Sequence, residues 1–167
     1  RVAAMNPWPC GHLGDAAANC RCAPDRVAAY RSRISGPLLD RIDLHVEVPR
    51  VATEEIARAS PAESSAIVAA RVAAARAMQV ERQGHSNARL GGVSLARAVR
   101  ADDAALALLG SAMQRLALSA RAYHRVLRVA RSIADLAGRE CVEPAHIAEA
   151  VTLRQLDRRG QASAIST

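Results

Sequence analysis

The sequence predicts a mainly α-helical protein: a bundle of four or five helices over residues 60–158, preceded in residues 1–48 by the end of an α/β layer. Three observations carry this. Half of the 167 residues are hydrophobic, yet aromatics make up only 2% and phenylalanine is absent, so a core has to be assembled from Ala, Leu, Val and Ile. Alanine has the highest helix propensity and small side chains let helices approach closely, which favours helices over sheets. Beyond residue 60 apolar residues recur at helical spacing between cap and stop signals, whereas the first third is broken by prolines, glycines and cysteines.

Taken in order, residues 1–5 read as a strand end broken by Asn6-Pro7, and residues 6–25, with Pro, Gly, Asn and three cysteines, have loop composition. A short helix is expected over 26–34, closed by Ser35-Gly36-Pro37. Residues 43–48 alternate, with Leu44, Val46 and Val48 on one face, and stop at Pro49; this predicts a strand. Residues 49–59 form a linker. Ser60-Pro61-Ala62-Glu63 has the form of a capping box with proline at the first helical position, so a helix should start there. Ile67, Val68, Val72, Ala75 and Met78 share one of its faces and Gly84 ends it. A loop with Gly91-Gly92 leads to a short helix over 94–100 and a medium one over 102–116. Ser119 caps a long helix running to the glycine stop at Gly138, and Glu143-Pro144 opens the last one, through about residue 157, before a tail over 159–167.

The formal net charge is +7 and the isoelectric point about 10.5. Such a balance suits a polyanionic partner, nucleic acid among them. All 23 basic residues are arginine, and in so alanine-rich a chain this also reads as compositional bias. No stretch is long and apolar enough for a membrane span, the opening residues do not form a signal peptide, and four cysteines in such a chain read as reduced thiols or metal ligands. The expected compartment is the cytoplasm. The first residue is not Met, and an opening like the end of a buried strand suggests a chain cut from a longer one.

A phosphate loop needs Gly-x-x-x-x-Gly-Lys-Ser/Thr, because the lysine must reach the β- and γ-phosphates. A chain without lysine has none, and alone it is expected to be inactive toward ATP. A second segment does bear on phosphoryl chemistry. In the run from Ser35 to Val48, a rigid turn and a Leu-Leu step lead into Arg41, just before the predicted strand. A guanidinium fixed there could project toward a neighbouring subunit and stabilise charge on a transferring phosphoryl group. It could equally be an ordinary arginine held by Asp40 and Asp43.

Ala3-Ala4-Met5-Asn6-Pro7, the run from Ser35 to Val48, and Leu118-Ser119-Ala120-Arg121-Ala122-Tyr123-His124-Arg125-Val126-Leu127-Arg128-Val129-Ala130-Arg131 together resemble the Mg-chelatase-like AAA+ family, of the YifB/ComM group. More distantly they resemble the Mg-chelatase ATPase subunit and the MCM helicases. The resemblance implies an α/β ATPase core, here only its C-terminal part (1–48), followed after the linker by a helical lid (60–158). It makes Asn6 the sensor-1 residue near the γ-phosphate and attacking water, Arg41 the arginine finger, and Arg121 the sensor-2 arginine. It implies ATP and Mg as cofactors of the full-length protein, other copies of the subunit as partners in a hexameric ring, and DNA as the substrate of a branch-migration helicase. A chelatase-type motor for metal insertion into a tetrapyrrole is the main alternative, and a stand-alone helical DNA-binding module a second.

Two further sets of residues admit both a functional and a plainer reading. Arg121, Arg125, Arg128 and Arg131 line one stripe of their helix at spacings of four, three and three; Arg125, Arg128 and Arg131 could track nucleic-acid phosphates, or the stripe is a solvated basic face partly neutralised by Asp135. Family members commonly carry Cys-Pro-Cys-Gly and then Cys-x-Cys, which could hold zinc. Here Trp8 stands in place of the first cysteine, leaving Cys10, Cys20 and Cys22 with His12 as a fourth ligand, or else a set of reduced surface thiols. Cys141 lies apart, near a helix start, and reads as core packing.

Overall fold

The computed structural model describes residues 2–6, 9–11, 22–39, 41–48, 51, 56–57 and 62–154. The described residues are mostly helical: α1 (Pro24–Ser32), α2 (Gly36–Leu39), α3 (Ser65–Gln83), α4 (Gly92–Val99), α5 (Asp103–Arg115), α6 (Ala120–Leu136) and α7 (Pro144–Thr152), with a 3-10 turn at Asn87–Arg89. The C-terminal residue of the expected last helix, 157, and the tail lie outside the described residues.

Most of the boundaries follow from caps visible in the sequence. Asp102 caps α5 by accepting the Ala105 N–H at 2.6 Å, and the Ser119 hydroxyl caps α6 by accepting from Ala122 N–H at 3.1 Å. Gly84 and Gly138 adopt the left-handed conformation (φ 77° and 67°) that closes α3 and follows α6. The start of α3 is a correction. Ser64, not Ser60, is the cap, accepting from Ile67 N–H at 3.4 Å; Glu63 does not reach back to a cap but pairs with Arg71 at 2.8 Å, and Ser60 and Pro61 lie outside the described residues.

Helix α6 is the hub, packing against α3, α4, the 3-10 turn and α7, while α5 packs on α7. The core is built from small and branched side chains: Leu90, Leu95, Val99, Leu109, Val126, Ala130, Ala134, Val142 and Ile147 are all at most 2% exposed. Two connections are drawn together by an isolated parallel bridge between Ala101 and Val142, with Val142 N–H donating to Arg100 O at 3.1 Å. The expected apolar face of α3 is only partly covered: Ala75 is buried, but Ile67 and Val72 remain 57% and 51% exposed. Replacing Ser119 with alanine removes the cap at the start of the hub helix and is expected to lower stability by about 1 kcal/mol, measured as a shift in urea midpoint at unchanged m-value.

The strand expected at 43–48 is not paired among the described residues. Residues 44–48 have no regular structure, no strand lies beside them among the described residues, and Leu44, Val46 and Val48 are 48%, 66% and 85% exposed. The same holds for residues 2–6, which have no regular structure. A strand is defined by the ladder it joins, and alternation alone does not supply a neighbour. What this segment has instead is a seat on the helices: His45 N–H donates to Leu153 O at 2.6 Å and His45 is buried.

Candidate nucleotide-responsive arginine site

Arg41 is exposed, one residue beyond α2 and its flanking Asp40, and its position is fixed from behind rather than through its own side chain. Arg125, from the second turn of α6, donates through Nη1 to the Arg41 carbonyl at 2.9 Å and to Asp43 Oδ1 at 2.7 Å. Arg128 lies 3.6 Å from the same carboxylate and donates to Leu90 O at 3.3 Å. Arg154, 2% exposed just past α7, donates to Ile42 O at 3.0 Å. Asp43 therefore pairs with the helix arginines and not with Arg41, which removes half of the local ion-pair account of Arg41; Asp40 is outside the described residues.

Arg121 is exposed in the first turn of α6, four residues before Arg125 and so on the same face of the helix. Neither the Arg41 nor the Arg121 guanidinium has a partner among the described residues. Asn6 is exposed, and its carbonyl accepts the Tyr30 hydroxyl at 2.9 Å, which ties it to α1. Gly11, at φ 75°, stands against the Asn6 side chain: a Cβ there would come within 3.4 Å of Nδ2.

The basic stripe is divided by the fold. Arg131 is fully buried, where a polyanion cannot reach it. Its guanidinium binds Asp135 at 2.9 Å, the Glu140 carbonyl at 2.6 Å and the carbonyls of Arg139 and Val99, drawing the ends of α4 and α6 together. Asp135 also receives both Nη atoms of Arg82 at 2.7 and 3.0 Å and Asn87 Nδ2 at 2.7 Å. Burial pushes the Arg131 guanidinium below its usual value, opposed by the Asp135 charge. Burial also acts to raise the Asp135 carboxyl, but the hydrogen bonds from Arg82 and Asn87 and the charges of Arg131 and Arg82 outweigh it and hold the group below the ordinary carboxylate range. Arg125 and Arg128 keep only 17% and 25% of their side-chain surface, their heads turned to Asp43.

Of the thiol set, Cys10 and Cys22 are half-buried, whereas His12 and Cys20 lie outside the described residues. No group of three or more His, Cys, Asp or Glu that could hold a metal occurs among the described residues. Cys141 is exposed rather than packed in the core. No helix among the described residues is long and apolar enough to cross a membrane. Asp43 and Arg154 were not legible as site residues: Asp43 had a nearer arginine to pair with, and nothing in the sequence around Arg154 marks it as bound 112 residues back.

The helical unit and the arginine-bearing segment ahead of it have counterparts in a known class. Residues 62–154 match the family described as magnesium chelatase, subunit ChlI C-terminal, and residues 1–56 match the one described as magnesium chelatase, subunit ChlI. The chain belongs to this Mg-chelatase-like AAA+ family, as a C-terminal part. Among curated relatives it is 40% identical over 158 residues to the competence protein ComM of Haemophilus influenzae, covering 94% of this chain and 31% of that protein. It is 39% identical over 158 residues to YifB of Escherichia coli, with the same coverage of each chain. A relative from Mycobacterium tuberculosis is 39% identical over 162 residues, 95% of this chain and 32% of its own. The chain thus spans about a third of the length of the curated relatives it matches.

Proposed function

We propose that this chain is the C-terminal part of a ring-forming AAA+ ATPase that remodels DNA, in which Arg41 reaches the nucleotide of a neighbouring subunit and Arg121 answers to nucleotide as a lid arginine. In this reading residues 1–48 close the ATPase core, 49–59 link it to the lid, and 60–158 form the lid. The observation that carries it is that Arg41 stands exposed on a segment whose backbone is bound to the helix that bears the exposed Arg121. A planar, permanently charged fork held at a surface is the group that stabilises charge developing on a transferring phosphoryl. Asn6 takes the sensor-1 role by resemblance to the family. ATP and Mg belong to the full-length subunit, which supplies the phosphate loop that a lysine-free chain lacks. Other copies of the subunit, six in a ring, are the partners, and the compartment is the cytoplasm.

DNA as the substrate is favoured by the net charge of +7 and by the name of the Haemophilus relative, a competence protein. The stripe of α6 is not offered as the DNA surface, since Arg131 is buried and Arg125 and Arg128 are engaged. The description of the matched family favours a second reading, the motor of a metal-insertion complex. Zinc on Cys10, His12, Cys20 and Cys22 finds no support among the described residues, and no step passes through it. The test is ATP-dependent strand exchange on a branched DNA junction by the full-length subunit, with the 167-residue chain as the inactive control. Junction-dependent turnover is expected. Turnover indifferent to DNA but raised by a tetrapyrrole acceptor complex would give the second reading instead.

A further inference from the structure

The contacts behind Arg41 do more than hold a loop. Arg125 is four residues along α6 from Arg121, and its Nη1 is shared between the Arg41 carbonyl at 2.9 Å and Asp43 Oδ1 at 2.7 Å. The next carbonyl, that of Ile42, accepts from Arg154 at 3.0 Å. Helix α7, at whose end Arg154 lies, is the closest-packed neighbour of α6, so both guanidinia belong to one packed body. Helix α6 itself buries seven residues, Arg131 and Asp135 among them, and cannot flex independently of its surroundings.

We propose that Arg125, Asp43 and Arg154 form a mechanical relay that makes the position of Arg41 follow that of the lid helix carrying Arg121. The relay rests on the reading of Arg41 and Arg121 given above, and adds to it how the two are coupled. A nucleotide that draws Arg121, and with it α6, toward one position carries Arg125 along, and Arg125 carries the Arg41 backbone by its carbonyl. Arg125 and Asp43 are positioning residues: they touch no nucleotide, and act only through Arg41. The coupling is between two sites on one element with a direct hydrogen-bonded connection, so it does not need a longer pathway. It is also reciprocal: seating Arg41 on a neighbour's nucleotide restrains the lid of its own subunit.

The test is a kinetic cycle in the full-length subunit, with turnover and nucleotide affinity read separately. Arg125→Ala is expected to lower kcat about 10- to 100-fold, the scale of a misplacement of about 1 Å, with nucleotide affinity within a factor of two or so of wild type. Asp43→Asn keeps the volume of a half-exposed side chain and guards against loss of folding; it is expected to lower kcat less, in the same direction. The deciding arm places Arg125→Ala on an Arg41→Ala background. A relay acting through Arg41 adds no further loss there, because residues that act as a unit are not additive. A full additional loss on that background would mean that Arg125 acts independently, and overturns the relay. Wild-type kcat in Arg125→Ala and Asp43→Asn, with Arg41→Ala inactive, overturns the relay alone. Full turnover in Arg41→Ala overturns the reading of Arg41 and the relay with it.

Discussion

Asp135→Asn is expected to destabilise the chain by about 3–5 kcal/mol, the cost of stripping one partner from a buried ion pair. The side chain of Asp135 has no exposed surface, and both its oxygens are occupied: Arg82 takes one at 2.7 Å and the other at 3.0 Å, Asn87 donates at 2.7 Å, and Arg131 lies at 2.9 Å. Asparagine fits the same volume but leaves two guanidinia facing each other without a counter-charge, one of them wholly buried. The loss should appear as a lower urea midpoint at unchanged m-value. Acid provides an independent check on the same group. Its folded carboxyl titrates below the ordinary value of about 4, so the unfolded chain binds the proton first. The stabilisation is then complete above about pH 4 and is lost as pH falls through the lower, folded value. Stability of the wild type should therefore fall more steeply below pH 4 than that of Asp135→Asn. Equal acid slopes and a loss under 1 kcal/mol would show that the cluster is replaceable.

Arg41→Ala in the full-length ring is expected to lower ATP turnover by about 10³-fold or more while nucleotide binding persists, because an arginine finger contributes to a neighbour's transition state and not to its own subunit's pocket. Stability should be little changed, since the residue's contacts run through its backbone carbonyl. Lysine should rescue poorly, a point charge lacking the planar fork, and Arg121→Ala should impair turnover with some loss of nucleotide affinity. Mixing Arg41→Ala subunits with subunits altered in the phosphate loop should restore part of the activity, because some interfaces then pair an intact finger with an intact loop. Undiminished turnover in an all-Arg41→Ala ring would refute the assignment.

The helical part was legible wherever an element carried its own punctuation. Asp102, Ser119, Gly84, Glu143 and Gly138 act over a few residues, and the structure has them at element ends. At the start of α3 the capping-box pattern at Ser60 pointed four residues too early: the cap is Ser64, and Glu63 pairs with Arg71. The segment at 43–48 was legible only in part: alternation describes the segment, but a sheet is a relation to a neighbour. The basic stripe departs from its expected form at Arg131 for a similar reason. The spacing of Arg121, Arg125, Arg128 and Arg131 is correct, yet it does not say that the last of them is enclosed by α4 and the turn after α6. The exposed arginines of the candidate site were found by resemblance, whereas Asp43 and Arg154, which hold one of them in place, act across 82 and 112 residues and left no local trace.

The way residues 41–43 are held has a bearing on which substitutions the segment can absorb. At positions 41 and 42 the guanidinia of Arg125 and Arg154 grip carbonyl oxygens, which every amino acid possesses. These two grips are therefore blind to side-chain identity, and only at Asp43 does a side chain carry the contact. The docking seat and the chemistry presented from it can drift separately: position 41 could exchange its arginine for another function without loosening the segment, while a change at 43 would loosen the segment whatever position 41 carried.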